Sequence, residues 1–413
     1  MQTKIAVIGG GPSGIMAAIT ASKSGALVTL FEATNRIGNK ILLTGNGKCN
    51  FSNLYLDDSC YYCKNKTFLN EILDKFSSND CKIFFEELGM LVKNKNGYLY
   101  PLGEQASIVL DVLRMELKRH DVCILTESKV IRLIKEKNIF KLEIENGAEY
   151  CFDKVIICTG GRSYSKTGSD GNGYKLAKKM GHHIFPTVPA LVQLVGCDDF
   201  YKTVAGVRSE GNVTLYVDGK FIKTERGEIQ FTDYGISGIP IFQLSRMAAY
   251  ALMDNKSVKI VANVLPDFDD EMLENLVKNR MNLHKLNSIE EFMCGLSNKK
   301  LSLWAIKQAG YKGHEKIETL SYDELKSLVL HLKNMNFHIT ETKGYDTAQV
   351  TAGGVFIEEL NENMQSTLVE GLYFAGEMVD VDAICGGYNL QWAFASGYVA
   401  GNDCITKKEN IKE

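Results

Sequence analysis

Residues 4–32 read KIAVIGGGPSGIMAAITASKSGALVTLFE, and this stretch decides the fold. The apolar run from Lys4 to Ile8 is typical of a buried parallel strand. A glycine-rich turn follows, then small and apolar residues at helical spacing, a capping Gly25, and a second apolar run that ends at Glu32. The order of strand, turn, helix and strand predicts a βαβ unit that opens an α/β domain.

The glycine-rich turn contains the pattern G-x-G-x-x-G at Gly9, Gly11 and Gly14. The first glycine permits a tight turn, the second lets a pyrophosphate approach the backbone, and the third allows close helix–strand packing. The helix that begins at Pro12 and Ser13 presents free N–H groups and a positive dipole to phosphates. The turn therefore predicts a dinucleotide site.

An acidic residue ends the second strand of this unit. Glu32 lies 18 residues after Gly14, where a carboxylate accepts hydrogen bonds from the adenosine ribose. A tight strand–helix turn without a ligand would leave this acid unexplained. The pattern predicts a dinucleotide, but by itself it does not separate FAD from NAD(P).

Two distant segments favour FAD. Residues 371–377, GLYFAGE, form a short apolar strand that ends in glycine and an acid, and they resemble the second FAD-binding motif of two-dinucleotide-binding-domain flavoproteins. Residues 155–161, VIICTGG, are similar to the A-T-G segment that returns the chain towards the cofactor in that superfamily. The three motifs in this order predict bound FAD.

A narrower resemblance covers essentially the full chain. Residues 40–53, KILLTGNGKCNFSN, resemble the K-x-x-x-S-G-G-G-R-C-N-x-T-N segment of the BaiN-like bacterial flavoproteins, with Lys48 in place of arginine. That family is also described as NAD(P)/FAD-dependent oxidoreductases or as the aminoacetone oxidase family. Further similar blocks are residues 227–238, 348–355 and 386–393. The resemblance implies an FAD-dependent oxidoreductase.

The motifs predict which residues contact FAD, and most of these lie in glycine turns, at strand ends or at helix starts. The predicted contacts are Gly9, Gly11, Pro12, Ser13, Gly14, Glu32, Ala33, Arg36, Lys40, Asn46, Gly47, Asn50, Val130, Thr159, Gly160, Gly161, Gly376, Glu377, Asn389, Leu390 and Gln391. Val130 is expected to contact adenine through its backbone. The resemblance places the start of the last helix, near Asn389, beside the pyrimidine edge of the isoalloxazine, where its dipole would stabilise negative charge.

No acid–base residue stands out in the sequence. Four weak candidates fall in segments that the motifs place near the flavin, namely Tyr388, Cys385, Arg162 and Cys49. Hydride transfer at flavin N5 mainly needs alignment and exclusion of water, so the proton need not come from a side chain. The seven histidines show no metal-ligand spacing, and no metal site is predicted.

Charge and composition exclude several classes of protein. The 413 residues include 47 Lys+Arg and 50 Asp+Glu, a net charge of −3, which argues against a basic field that holds nucleic acid or an anionic membrane. Eleven cysteines without a secretory leader predict reduced thiols in a cytoplasm. No stretch approaches a membrane helix. The expected partner is a small-molecule substrate, with no nucleic acid and no membrane, and the oligomeric state is not predicted.

The predicted fold class is α/β, a Rossmann-like FAD-binding domain that carries two insertions. The FAD domain is predicted over residues 1–190 and 346–413. Short alternating segments over residues 191–266, completed by 335–345, predict an inserted antiparallel, barrel-like β-domain. Helical periodicity over residues 267–334 predicts a small helical subdomain.

The leading functional hypothesis is an oxidoreductase whose FAD is reduced by NAD(P)H and passes hydride to an organic acceptor, such as the activated C=C bond that the resemblance implies. No clear second G-x-G-x-x-G is present, so a nicotinamide would bind transiently over the flavin or not be used. The rival of the same class is a flavin amine oxidase that uses O₂. A rival of another class is an RNA-modifying or RNA-binding flavoprotein, and a non-enzymatic flavin-binding role is the remaining alternative.

Overall fold

The computed structural model describes residues 2–283 and 288–405, so that one of the histidines, His284, lies outside the described part. The chain divides into two compact units, Met1–Val188 with Ala348–Glu413, and Pro189–Thr347. The division into three parts stays a prediction. Within the described ranges, no helix is both long and apolar enough to span a lipid bilayer.

The strands are short and are numbered here in chain order. They are β1 Lys4–Ile8, β2 Leu27–Phe31, β3 Ser52–Asn53, β4 Tyr61–Tyr62, β5 Val92–Lys95, β6 Tyr98–Pro101, β7 Cys123–Leu125, β8 Val130–Glu136, β9 Ile139–Ile144, β10 Glu149–Phe152, β11 Lys154–Ile157, β12 Val188–Ala190, β13 Leu194–Gly196, β14 Arg208–Val217, β15 Lys220–Phe231, β16 Gly235–Gly238, β17 Val258–Asn263, β18 Met335–Thr342, β19 Val350–Ala352, β20 Leu372–Phe374 and β21 Asp382–Ala383.

The α-helices are numbered in the same way. They are α1 Pro12–Lys23, α2 Asn39–Leu43, α3 Lys66–Lys75, α4 Ser78–Glu87, α5 Ala106–Arg119, α6 Asn172–Lys179, α7 Tyr201–Val204, α8 Ile239–Met253, α9 Asp270–Leu283, α10 Ile289–Met293, α11 Lys299–Gln308, α12 Tyr322–Lys333 and α13 Tyr388–Asp403.

A parallel sheet forms the centre of the first unit, with the strand order β20-β11-β1-β2-β7. In β1, Ile8 pairs with Ile157 on one side and with Phe31 on the other. Ala6 and Val7, which point to opposite faces of the sheet, are both fully buried, as expected for a parallel strand that is covered on both faces. The predicted α/β, Rossmann-like fold is confirmed.

The first and last helices of this unit cross at close range. A Cβ on Gly397 would lie 2.3 Å from the Ser13 carbonyl oxygen, and one on Gly401 would lie 2.5 Å from that of Ala17. Only glycines at these two positions allow the backbones to approach so closely, because any side chain would overlap with the facing carbonyl groups. The glycines of α13 thereby hold α1, which begins at the glycine-rich turn, in place.

The second unit contains a closed antiparallel barrel with the strand order β13-β16-β15-β14-β17-β18, which confirms the predicted barrel-like domain. Its core continues into the helices between β17 and β18, where Leu325 and Leu328 are fully buried. One feature contradicts the prediction of short β-segments over residues 191–266, because α8 is a helix of 15 residues. Pro240 in its first turn and the buried Leu244 and Ala248 are helical signals that the alternating pattern obscured.

A buried histidine joins two segments of the first unit. Its ring nitrogens contact the Glu359 carboxylate, with 3.0 Å from His182 Nδ1 to Oε2, and the Ser366 hydroxyl, with 2.8 Å from Nε2 to Oγ. Serine, histidine and carboxylate in this order have the arrangement of a hydrolase triad. Ser366 is only 5% exposed, however, and its oxygen also accepts the N–H groups of Leu368 and Val369. The network is therefore structural.

Acidification is expected to destabilise the protein through this network. Burial lowers the pKa of His182 below its ordinary 6.5, and the pKa of Glu359 is lowered from 4.5 because bonds from His183 and His182 more than offset burial. In both cases the unfolded chain binds more protons than the folded chain, so stability falls as pH drops through each of these ordinary values. The Tm of thermal unfolding, measured from neutral pH to about pH 5, reports the loss of stability that comes from His182.

His182→Gln should flatten the dependence of Tm on pH in this range, because the amide does not titrate. His314→Gln is the matched control, since His314 is exposed and should leave the dependence as in the wild type. If Tm depended on pH equally in the wild type and in His182→Gln, the loss of stability on acidification would not come from His182.

Candidate cofactor and active site

A cavity opens in the first unit at the carboxyl ends of β1, β2 and β11, where open α/β sheets bind their ligands. It is lined by residues 8–13, 31–33, 38–40, 44, 128–130, 158–160, 167–170, 172, 349, 350, 377, 389, 390 and 393. The cavity therefore collects segments from both ends of the chain around the end of the first strand.

The structure brings most of the predicted cofactor contacts to this cavity. Those that line it are Gly9, Gly11, Pro12, Ser13, Glu32, Ala33, Lys40, Val130, Thr159, Gly160, Glu377, Asn389 and Leu390. Those that do not are Gly14, Arg36, Asn46, Gly47, Asn50, Gly161, Gly376 and Gln391. Contact of these residues with FAD stays a prediction.

The glycine-rich turn shows why each glycine is needed. Gly9 has φ +107°, and a Cβ there would lie 2.4 Å from the Cys158 carbonyl oxygen. A Cβ on Gly14 would lie 1.9 Å from the Gly9 carbonyl oxygen, so Gly14 serves packing although it does not line the cavity. A Cβ on Gly11 would meet no atom within 4 Å. That open space above the start of α1 fits a pyrophosphate.

The acid at the end of β2 faces the cavity from a buried position. Glu32 is 7% exposed, and its carboxylate accepts the N–H of Gly10 at 2.8 Å and the N–H and hydroxyl of Thr34 at 2.7 and 2.8 Å. These three bonds orient the side chain. A carboxylate can accept about four hydrogen bonds, so it can still accept one from a ribose hydroxyl.

An ion pair between Lys40 and Glu377 forms another part of the cavity wall. Lys40 Nζ lies 2.6 Å from Glu377 Oε2, and the N–H of Thr351 donates to Glu377 Oε1 at 3.1 Å. Gly376, next to Glu377 in the chain, packs closely against α1, since a Cβ there would approach Ser13 Oγ to 2.4 Å. The pair ties the segment after β20 to helix α2 and gives this wall polar groups that suit a polyhydroxyl chain.

The last helix begins beside the cavity. Gly387 precedes it with φ +92°, and a Cβ there would lie 2.7 Å from the Ser52 carbonyl oxygen. Asn389 donates to the Ala383 carbonyl group and accepts the Ala383 N–H, both at 2.9 Å, so its side chain is used within the protein. The helix start therefore offers its backbone N–H groups and positive dipole to a ligand, rather than a side chain.

Two of the predicted contacts that do not line the cavity have side chains that are hydrogen-bonded within the protein. The Gln391 side chain is fully buried, donates to the Phe76 carbonyl oxygen at 2.8 Å and accepts the Ser52 hydroxyl at 2.6 Å. Arg36 is exposed and donates from Nε to Asn39 Oδ1 at 2.6 Å, in a shallow depression next to the cavity. The Gln391 side chain therefore joins two segments that are distant in sequence, and the motif does not reveal these hydrogen bonds.

None of the four weak catalytic candidates lines the cavity. Cys49 is fully buried, and burial raises its pKa to about 12, so the thiol stays protonated and is no nucleophile. Burial and a contact with Cys60 raise the pKa of Tyr388 well above its usual range. Lys48 does not line the cavity either, and its Nζ lies 3.2 Å from Glu104 Oε2.

Sequence reasoning missed one side of the cavity. The residues that line it there are Lys129, Ser169, Asp170 and Asn172, and none of them is among the predicted cofactor contacts. Ser169 is 5% exposed, and its hydroxyl oxygen is buried without a hydrogen-bond partner. A buried orphan hydroxyl in a cavity wall is satisfied when a polar ligand is bound. Together with the open space at Gly11 and the oriented Glu32, it fits a dinucleotide such as FAD.

Comparison with known proteins gives matches along the whole chain. Residues 3–403 match the family described as HI0933-like protein Rossmann domain. A relative from Clostridium scindens, named 3-dehydro-bile acid delta(4,6)-reductase, is 38% identical over 403 residues, 97% of this chain and 98% of the relative. One from Escherichia coli, named ribosomal RNA dihydrouridine synthase, is 30% identical over 409 residues, 98% of each chain.

A solved structure shares the fold. The 3-ketosteroid delta1-dehydrogenase from Sterolibacterium denitrificans superposes with a TM-score of 0.51 over 98% of this chain and 100% of its own, at 12% identity. At this identity, the likeness concerns the fold alone.

Proposed function

The chain belongs to the HI0933-like family of FAD-dependent oxidoreductases, and on this premise we propose that it takes hydride from NAD(P)H and passes it to an activated C=C bond of a small molecule. The observation that carries the acceptor class is the relative from C. scindens, whose name describes a delta(4,6)-reductase of a 3-dehydro compound. A carbonyl group in conjugation polarises such a double bond and prepares it for hydride.

Bound FAD would supply the hydride-transferring ring, and the protein supplies binding and electrostatics. The turn from Gly9 to Gly11 and the start of α1 would bind the pyrophosphate, and Glu32 the adenosine ribose. The start of α13 would stabilise negative charge on the ring through backbone N–H groups, without a titrating side chain. We assign no side chain as proton donor, and the proton that completes reduction of the C=C bond would come from water.

The nicotinamide donor is proposed to bind transiently, because the sequence carries no clear second G-x-G-x-x-G. A small-molecule acceptor is the proposed partner, and we propose no role for nucleic acid or membrane. The choice between NADH and NADPH is left to experiment, since the described residues reveal no second dinucleotide motif that would separate them.

Anaerobic mixing tests the proposal in two steps. Purified holoenzyme is mixed with NADH or with NADPH, and the absorbance band of oxidised flavin is followed. One of the two is expected to bleach it. A cyclic enone is then expected to restore the band without O₂, whereas its saturated ketone should not. If neither nicotinamide bleaches the flavin, or the enone leaves it reduced, the proposal is wrong.

The same preparation separates the alternatives. A flavin amine oxidase would instead be reduced by an amine and would release peroxide in air. An RNA-modifying flavoprotein would be reoxidised by a ribosomal RNA fragment and not by the enone. The name shared by the relatives from E. coli and Haemophilus influenzae speaks for that second alternative, while the net charge of −3 speaks against it.

A further inference from the structure

Two segments that line the cavity are bonded to each other. Lys129 Nζ lies 2.6 Å from Asp170 Oδ2, and Asn172 Nδ2 donates to the Val130 carbonyl oxygen at 2.8 Å. The segments belong to different parts of the fold, since residues 128–130 lead into β8 and residues 169–172 lead into α6. The side chains of Lys129 and Asp170 are 31% and 39% exposed, so the pair lies at the rim between cavity and solvent.

Ser169, the residue next to this ion pair, has a hydroxyl that is buried in the cavity wall. Ser169 Oγ is buried without a partner, and it lies 2.9 Å from where a Cβ on Gly160 would be. Gly168, which precedes Ser169 in the chain, lies beside Glu32, the acid that we propose binds the ribose. A Cβ on Gly168 would approach Glu32 Oε1 to 3.2 Å. Ser169 thus stands between the turn after β11 and Glu32, at the ribose–pyrophosphate end of the cavity.

We propose that the Ser169 hydroxyl bonds directly to the ribose–pyrophosphate part of FAD, and that the Lys129–Asp170 pair closes the rim over it and slows FAD release. The inference rests on FAD as the cofactor, and it depends on neither the hydride donor nor the acceptor.

The charge state of the pair agrees with this role. Burial raises the pKa of Asp170, but the hydrogen bond from Lys129, the N–H of Asn172 and the Lys129 charge more than offset it, so that the pKa is lowered. The carboxylate is therefore charged at neutral pH and the pair is formed. A partly exposed pair of this kind contributes only about 0–1 kcal/mol to folding, so its loss should leave the protein folded.

The contact is tested with two serines of the same cavity. Serial dilution of holoenzyme, followed by the rise in FAD fluorescence on release, gives the Kd. Ser169→Ala should raise it about 5-fold, as expected for one lost hydrogen bond. Ser128→Ala is the matched control, because the Ser128 hydroxyl already donates to the Thr126 carbonyl oxygen at 2.9 Å, and its Kd should match the wild type.

The rim is tested by the rate of release after dilution. Lys129→Met and Asp170→Asn should each release FAD about 3-fold faster, and the double variant should be no faster than either, because both changes break one pair. Lys141→Met is the control, since Lys141 pairs with Glu136 at the same 2.6 Å without lining the cavity.

Equal Kd values for Ser169→Ala and Ser128→Ala, or equal release rates for Lys129→Met and Lys141→Met, would overturn the proposal. Because the readout is FAD itself, failure of the nicotinamide and enone experiments leaves this result unaffected. Conversely, unchanged release would leave the proposed reaction standing.

Discussion

A Gly11→Val variant is expected to purify folded but without FAD. Gly11 lines the cavity with no atom within 4 Å of its Cβ position, so the new side chain begins without a clash and fills space that the pyrophosphate needs. Loss of two charge-assisted hydrogen bonds, at about 1.5–3 kcal/mol each, weakens binding by roughly 100-fold or more. The ratio of flavin to protein absorbance measures the loss, and circular dichroism checks the fold.

Gly14, the last glycine of the same motif, provides the contrast. Gly14→Ala would place a Cβ 1.9 Å from the Gly9 carbonyl oxygen, so this variant should lose stability as well as FAD. Gly11→Ala should fall between wild type and Gly11→Val in FAD content. Purification of Gly11→Val with a full complement of FAD would contradict the placement of the pyrophosphate.

The second large effect is expected at Glu32. Glu32→Ala removes the proposed acceptor for the adenosine ribose, and it also leaves the N–H groups of Gly10 and Thr34 without their partner. A buried unpaired N–H costs about 1–3 kcal/mol, so the unfolding free energy should fall by about 2 kcal/mol or more. The FAD Kd should rise roughly 100-fold, because hydrogen bonds to a carboxylate are worth about 1.5–3 kcal/mol each.

Two variants separate these effects. Glu71→Ala removes an exposed carboxylate from α3 and should change neither stability nor FAD affinity. Glu32→Gln keeps the shape but turns an NH₂ group towards donors, so it should weaken FAD binding almost as strongly as Glu32→Ala. Denaturant unfolding and the dilution experiment give the two quantities. Wild-type FAD affinity in Glu32→Gln would show that the carboxylate does not bind the ribose.

The cofactor site was predictable where the contacts come from local backbone. Gly9, Gly11 and Glu32 belong to one βαβ unit, and their roles follow from short-range geometry that the spacing encodes. The other wall was not predictable in this way. Lys129 and Ser169 reach the cavity only because two loops 40 residues apart meet there, and single residues in polar loops carry no periodic signal.

Side chains that are bonded within the protein were unpredictable for the same physical reason. Gln391 lies in a motif-bearing segment, yet its amide is consumed by the Phe76 carbonyl group and the Ser52 hydroxyl, more than 300 residues away in sequence. Complete burial, which the sequence does not reveal, likewise raises the pKa of the Cys49 thiol to about 12. Helix α8 was overlooked because the segments on either side of it alternate as strands do, and these segments form strands of the barrel.

The amino-acid sequence by itself determined the α/β class, the dinucleotide turn and the family, since these depend on periodicity and on glycines at fixed spacing. Tertiary structure alone decided which polar groups face the cavity and which are satisfied elsewhere. The reason is that a hydrogen bond depends on distance in space, whereas a motif records distance along the chain. Ser169 shows the difference, as an ordinary serine in the sequence and a buried hydroxyl without a partner in the fold.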